Sequence, residues 1–159
     1  MVNIVNALQQ SPFWGSTAVI IAYDDSDGWY DHQPAPISNG SFSTSDSLTG
    51  TNACGVQGVT PVLPGPNSAG LPVYGRCGHG MRTPLLVISP WAKANFIDHT
   101  LTDQTSILLF IENNWNLGQI GGGSWDSIAN AITNMFDFAP PTPPNTTTLI
   151  LSPTTGLPE

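Results

Sequence analysis

The chain has 159 residues, with 3 Lys and Arg against 11 Asp and Glu, so its formal net charge is −8 and its isoelectric point is near 4.3. Because phosphate-rich polymers are bound by clustered Lys and Arg, this balance argues against nucleic acid or an anionic membrane surface as a partner. Charged residues make up only 9% of the chain and hydrophobic residues 40%, which argues against disorder through charge repulsion.

The composition of the chain and the absence of a signal peptide bear on its cellular location. It is poor in Lys and has two Cys, which suits an exported protein in which the thiols can oxidise. No stretch approaches the roughly 18 to 20 consecutive apolar residues that cross a bilayer, so we expect no transmembrane segment. Residues 1–10 lack the basic start of a signal peptide and have apolar positions at helical spacing. We therefore predict a periplasmic or secreted protein whose signal is not in this chain, and a chain that is a piece of a longer one.

Two apolar, β-branched runs predict buried strands over residues 17–23 and residues 84–89. Continuous apolar runs of this kind are typical of strands covered on both faces, as in parallel sheets. Strands covered on both faces require helices beside the sheet. The sequence therefore predicts an α/β fold in which a mostly parallel sheet is flanked by helices.

Candidate helices follow the second strand. Thr102 or Asp103 can cap a helix over residues 104–115, with Gly118 just after its end. A second helix is predicted to begin after Ser124 or Asp126, with Ile128, Ile132 and Met135 on one face. These two helices are the expected cover of the sheet.

A long loop, residues 33–80, separates the two predicted strands. Such a length is unusual in a compact domain unless the loop is functional or tied down. A disulfide between Cys54 and Cys77 would close a loop of 24 residues, which stabilises a fold by roughly 3 kcal/mol in the chain-entropy model. Free buried thiols are the alternative. Residues 139–159 contain 6 Pro and are predicted to form a tail, extended along the surface or frayed, so the domain proper covers residues 1–138.

An acidic cluster comes directly after the first predicted strand. It contains Asp24, Asp25, Asp27 and Asp31, and His32 follows it. In open α/β sheets, ligands bind beyond the carboxyl ends of strands, so this placement indicates a site. Neighbouring carboxylates repel one another unless a cation lies between them, and a divalent metal would hold them together. Turn chemistry is the other interpretation, because Asp and Gly are both common in ordinary turns.

The sequence resembles the phosphoesterase family that contains bacterial acid phosphatases and non-haemolytic phospholipases C. The resemblance rests first on the run STAVIIAYDDSDGWYDH over residues 16–32, a strand that ends in Tyr-Asp-Asp and is followed by Gly, two aromatics and Asp-His. It continues in order through residues 75–78, 82–93, 96–100, 105–115, 135–138 and 151–156. These blocks match the C-terminal part of the family's pattern.

The resemblance implies a fold related to alkaline phosphatase and the cleavage of phosphate mono- or diesters by a metal ion and a hydroxyl nucleophile. It assigns Asp24 and Asp25 as ligands of a divalent metal, and leaves Asp27 and Asp31 to hydrogen-bond around them. A cation held by carboxylates would neutralise phosphate oxygens in an in-line displacement. The expected partner is a phosphate ester, either a monoester or a phospholipid.

Further residues have two interpretations each. His32 is expected to contact the phosphate or to protonate the leaving oxygen, or else to bond a neighbouring Asp and shape the turn. Arg82 either contacts the phosphate or pairs with an acid. The Asp98-His99 block is expected to cap a helix or hold a loop, and His79 receives no catalytic role.

The family's nucleophile and its other metal ligands belong to an N-terminal part without a counterpart here. Residues 1–15 contain no Ser or Thr in a recognisable nucleophile motif, and two carboxylates alone make an incomplete metal site. We therefore expect a metal-dependent phosphoric ester hydrolase whose chemistry needs that missing part as a partner. The alternative is a non-catalytic secreted fragment or binding module that keeps the scaffold.

Overall fold

The computed structural model describes residues 1–33, 79–121, 124–139 and 143–159. In chain order their elements are helix α1 (Val2–Gln9), the 3₁₀ turn η1 (Trp14–Ser16), strands β1 (Val19–Ala22) and β2 (Leu85–Ile88), helix α2 (Thr105–Trp115), and the 3₁₀ turns η2 (Trp125–Ser127) and η3 (Ile132–Met135). The chain forms two compact units, one made of residues 1–22, 84–99 and 133–159, the other of residues 23–83 and 100–132.

The first unit contains the two strands, which pair antiparallel. Val19 lies opposite Ile88, and Ala22 lies opposite Leu85. Both strands fall inside the predicted runs, but this pairing corrects the expected mostly parallel sheet for β1 and β2. An apolar run indicates burial and carries no information on the direction of the neighbouring strand. The burial is also lower than expected, because the side chain of Leu86 is 50% exposed.

The core of the first unit lies where η1 meets the segment after β2. Trp14 and Phe136 are buried there. The indole nitrogen of Trp91 donates to the carbonyl of Gly15 at 3.0 Å, and the Ser89 hydroxyl donates to the carbonyl of Thr17 at 2.9 Å. Hydrogen bonds from side chain to backbone therefore join the chain before β1 to the chain after β2.

Helix α1 and the C-terminal residues are joined by two side-chain amides. Asn6 donates to the carbonyl of Leu151 at 2.7 Å and accepts from its N–H at 3.2 Å. Gln9 bonds Leu149 in the same two-way manner, at 3.0 and 2.8 Å. The end of the predicted tail is therefore extended and packed against α1.

The second unit contains α2 and η2. Helix α2 was predicted over residues 104–115 and begins at Thr105. It ends at Asn116, which has a φ of 51° in the left-handed region. The Leu117 N–H bonds back to the Glu112 carbonyl at 3.0 Å, as at many helix ends.

The predicted second helix is wrong, because residues 125–135 form the short turns η2 and η3. Between them, the side chain of Asn130 donates to the carbonyl of Leu101 at 3.0 Å. Asn side chains that bond to distant backbone compete with helix formation. The apolar spacing was helical, but the sequence between the apolar residues does not sustain a helix.

Two further predictions concern the disulfide and the absence of a transmembrane segment. The disulfide between Cys54 and Cys77 falls on residues 34–78, which lie outside the described part of the chain. No helix among the described residues is long and apolar enough to cross a membrane.

Candidate functional site

The acidic cluster lies in the second unit and begins with a tight turn. The Trp29 N–H bonds to the Ser26 carbonyl at 3.0 Å, which closes a turn around Asp27 and Gly28. These two central residues have φ values of 51° and 78°. Positive φ at both central positions is what a type I′ turn requires, and Asp-Gly is a favoured pair for it. The sequence thus dictates the reversal that follows the two predicted metal ligands.

The carboxylate of Asp25 stabilises this turn. Its Oδ1 accepts a hydrogen bond from the N–H of Asp27. Asp24 and Asp25 are both exposed. The metal and turn interpretations of the cluster are therefore compatible at Asp25, which performs the turn role with one oxygen.

The start of α2 contacts the backbone of the cluster. The side-chain nitrogen Nε2 of Gln104 donates to the carbonyls of Tyr23 at 2.8 Å and Asp24 at 2.9 Å. Gln104 thereby fixes the backbone of the residue that precedes the acidic pair and of the first member of the pair. Sequence reasoning missed this contact, because an exposed Gln before a helix carries no distinguishing signal.

The second half of the cluster is fixed by Arg82. Its Nε donates to Oδ2 of Asp31 at 2.7 Å, and its Nη2 donates to Oδ1 at 2.7 Å. The N–H of Gln33 adds a hydrogen bond to Oδ1 at 3.0 Å. The Arg82 guanidinium, and then the Gln33 N–H, hold the pKa of Asp31 well below its usual range. The same pair raises the pKa of Arg82.

This ion pair is the second of the two roles expected for Arg82. Its side chain is 72% exposed, whereas that of Asp31 is 13% exposed. Arg has five N–H donors, so Nη1 and the second hydrogen of Nη2 point beyond the carboxylate. Contact with a phosphate remains a prediction for this side chain.

His32 follows Asp31 directly and is exposed. Its ring packs edge-on to that of Tyr30, with the ring centroids 5.0 Å apart. Trp29 and Tyr30 are 78% and 79% exposed. The Arg82–Asp31 pair therefore fixes the backbone next to an imidazole that is open to a ligand.

A second histidine lies in this unit, which sequence reasoning left without a role. Nδ1 of His79 is 3.1 Å from Oδ2 of Asp103, and both side chains are largely buried, at 13% and 16% exposure. The His79 ring packs edge-on to Trp125 at 5.3 Å. Asp103 and His79 are 24 positions apart in the sequence, so no local pattern could have paired them.

Asp103 also caps α2, as the sequence predicted. Its Oδ1 accepts from the N–H of Thr105 at 2.7 Å, and its own N–H donates to the Ser106 hydroxyl at 3.0 Å. Such reciprocal bonds satisfy N–H groups that a helix start leaves without partners. The residue whose carboxylate bonds the first turn of α2 is thus also the partner of His79.

Asp98 and His99 lie in the first unit. Oδ1 of Asp98 accepts from the side chain of Asn134 at 3.2 Å, and His99 is exposed. This is a loop-holding contact, as expected for the block.

The donor set around Asp24 and Asp25 fits a hard cation. Carboxylate and carbonyl oxygens are the ligands that Mg²⁺ and Ca²⁺ prefer. Within the part of the chain that the structure describes, no group of three or more His, Cys, Asp or Glu side chains could hold a metal ion. Asp24 and Asp25 are therefore part of a ligand set at most, and other ligands would complete it.

The fold defines a mixed helix–strand protein whose polar cluster follows a strand. The model of the Phosphoesterase family matches residues 1–118. The chain is 32% identical to a hemolytic phospholipase C of Pseudomonas aeruginosa, over 86% of this chain and 17% of that protein. It is 31% identical to phospholipase C A of Mycobacterium tuberculosis, over 92% of this chain and 26% of that protein.

The chain belongs to the Phosphoesterase family, which confirms the resemblance seen in its motifs. A third relative, a non-hemolytic phospholipase C of Burkholderia pseudomallei, is 33% identical over 72% of this chain and 15% of that protein. The chain thus spans between about a seventh and a quarter of the length of these relatives.

Proposed function

We propose that this chain is the C-terminal part of an exported hydrolase of phosphate esters, and that it contributes Asp24 and Asp25 to a divalent metal site. The observation that carries the proposal is the acidic pair directly after β1 in a chain of the Phosphoesterase family. The two residues are exposed, and Gln104 fixes the backbone of Asp24. The family's sheet and the residues that complete the ligand set belong to the rest of the proposed enzyme.

The chemistry of the proposed site follows from its residues. A bound divalent cation would offset the negative charge of phosphate oxygens during displacement. Asp24 and Asp25 would hold that cation, and the hydrogen bond from the Asp27 N–H would keep the Asp25 carboxylate in place. The imidazole of His32 would donate a proton to the leaving oxygen. The nucleophile is supplied by a residue outside this chain.

Metal binding is tested in this chain by isothermal titration with Mg²⁺, Mn²⁺ and Ca²⁺. We expect Asp24→Asn and Asp25→Asn each to weaken binding by about tenfold or more, because each removes a charged ligand. Asp137→Asn is the matched control, because Oδ1 of Asp137 also accepts an N–H two residues on, from Ala139 at 3.3 Å. Equal affinities in all variants would overturn the metal assignment.

Hydrolysis is tested in the complete gene product with p-nitrophenyl phosphate and p-nitrophenyl phosphorylcholine, with and without chelator. We expect activity that chelator removes and that excess metal restores. We also expect Asp24→Asn to lower kcat. No activity on either ester, with metal binding intact, would favour the alternative of a non-catalytic binding module. Activity in the short chain alone would contradict the view that the nucleophile lies outside it.

A further inference from the structure

The second unit contains two buried acids outside the candidate site. Glu112 on α2 is 5% exposed and Asp126 on η2 is fully buried. Helix α2 and η2 pack against each other, and each of the two carboxyl groups shifts the pKa of the other. Two ionised carboxylates that act on each other in a dry interior repel strongly, and a buried charge without a partner is costly. The pair therefore needs a proton or a cation.

The hydrogen-bond donors around the pair are distributed unequally. Oδ2 of Asp126 accepts from the N–H of Ile120 at 3.1 Å. Among the described residues, neither oxygen of Glu112 nor Oδ1 of Asp126 accepts a well-aligned hydrogen bond, although the Ile120 N–H also acts on Glu112. A carboxylate that receives donors stays ionised, whereas one without donors in a dry setting takes a proton. The geometry thus assigns the charge to Asp126 and the proton to Glu112.

The position of Glu112 in its helix also favours the protonated form of its carboxyl group. Helix α2 ends at Trp115, so Glu112 lies in its last turn. The carbonyl ends of a helix carry a partial negative charge, which disfavours a carboxylate and tolerates a neutral acid. The helix thereby adds to the effect of burial.

We propose that Glu112 and Asp126 share one proton, which Glu112 carries and donates to Asp126, and that this hydrogen bond holds η2 on the last turn of α2. The proposal does not depend on the proposed catalytic function. It makes the second unit a structure that is stabilised by mildly acidic conditions.

The pKa directions agree with this arrangement. Burial, and then the charge of Asp126, raise the pKa of Glu112 above its ordinary 4.5. The Ser124 hydroxyl, followed by the Ile120 N–H, lowers the pKa of Asp126 below its ordinary 3.8. A raised folded pKa stabilises the fold below the unfolded value, and the stabilisation is lost as the pH rises through the folded value. The lowered pKa of Asp126 stabilises the fold above its unfolded value, and this stabilisation is lost as the pH falls through the folded value. The shared proton is therefore in place between the folded pKa of Asp126 and that of Glu112.

Other charges near the pair are few among the described residues. Helix α2 has no other ionisable side chain, nor does η2, and residues 116–121 have none. On the other side of η2, the ring of His79 packs on Trp125, and Asp103 is the partner of His79. A hydrated cation fits the site poorly, because its oxygens are enclosed and a third acidic ligand is lacking there.

The test compares the urea unfolding midpoint of the whole chain at pH 5 and pH 8. We expect the wild-type midpoint to fall between these values, and the Glu112→Gln variant to keep its midpoint, because an amide donates to Asp126 at every pH. Glu159→Gln is the matched control, since it makes the same chemical change at an exposed Glu, and its midpoint should fall as in wild type. Equal pH dependence in wild type and Glu112→Gln would overturn the proposal.

A second measurement covers the case in which Glu112→Gln fails to fold. The carboxyl carbon of Glu112 in the wild-type chain is followed by NMR across pH 3 to 9, and we expect it to titrate above its ordinary range. A midpoint at its ordinary 4.5 would overturn the proposal. A rise in wild-type stability with added Ca²⁺ or Mg²⁺ at pH 7, absent in Glu112→Gln, would also overturn it, because a cation would then replace the proton.

Discussion

Arg82 and Asp31 form a two-point ion pair between positions 51 residues apart, with both N···O distances at 2.7 Å. Most of the intervening residues belong to the long predicted loop, so this pair joins its two ends. The planar guanidinium matches the two carboxylate oxygens in a way that a Lys ammonium cannot. The pair thus fixes the backbone beside His32.

We predict that Arg82 acts on activity through Asp31. If so, Arg82→Ala, Asp31→Ala and the double variant of the complete protein should lower kcat/KM by similar factors, because all three remove one interaction. Arg82→Lys should restore only part of it. Additive effects in the double variant would instead show that Arg82 contacts the substrate directly.

The Arg82–Asp31 pair should survive mildly acidic conditions. Because the folded pKa of Asp31 lies below its ordinary 3.8, the stabilisation is complete above that value and is lost as the pH falls through the folded pKa. We expect the Asp31 carboxyl carbon to show no NMR titration between pH 4 and pH 8. The Arg82→Ala variant should shift its titration upward, and an unchanged titration would show that the pair does not form in solution.

The turn after the acidic pair should be sensitive at Gly28. Its φ is 78°, and a Cβ there would meet nothing within 4 Å, so only backbone strain opposes a side chain. Gly28→Ala should destabilise the fold by about 1 to 2 kcal/mol, measured by urea unfolding. Gly15→Ala is the control, because Gly15 has equal space and is not among the positive-φ glycines. Equal losses at both positions would contradict the predicted strain.

The capping role of Asp103 gives a separate prediction. Asp103→Ala should destabilise the chain by about 1 kcal/mol, because the Thr105 N–H loses its acceptor. Asp103→Asn keeps an acceptor oxygen and should lose less. A result in which Asn and Ala are equally harmful would indicate that the contact with His79, and not the cap, accounts for the loss. Circular dichroism and urea unfolding provide the readout.

The side-chain amides of Asn6 and Gln9 on α1 should contribute to the stability of the fold. Asn6→Ala and Gln9→Ala each leave a backbone N–H and carbonyl of residues 149–151 without partners, at a cost of about 1 kcal/mol or more. Asn3→Ala on the exposed side of α1 is the control. Hydrogen exchange at the Leu149 and Leu151 amides measures the effect, and unchanged protection in both variants would contradict it.

The strands and the turn after the acidic pair were predictable from the sequence. The contacts that these elements make with distant residues were not. The runs around Val19–Ala22 and Leu85–Ile88 predicted strands because β-branched apolar residues favour them. Their antiparallel pairing depends on residues far apart in the chain, so no local pattern shows it. The Asp-Gly turn was visible in sequence, whereas the contact of Gln104 with Asp24 and that of His79 with Asp103 depend on the folded backbone.

The motifs identified the family better than they identified the fold. The Asp24-Asp25 pair, read with the blocks around it, led to the phosphoesterases, and the family model confirms that membership. The helix predicted after Ser124 failed because apolar spacing takes no account of the side-chain bond that Asn130 makes. A helix prediction from the spacing of apolar residues fails where a side chain bonds to distant backbone instead.

Helix α2 has a partner at each of its ends within the second unit. Its first turn is preceded by Gln104, which bonds the backbone of Tyr23 and Asp24, and its last turn contains Glu112, which contacts Asp126. Eleven residues at 1.5 Å each make a rod about 16 Å long. The rod therefore connects the proposed proton-sharing pair at its last turn to the backbone of Asp24 before its first turn.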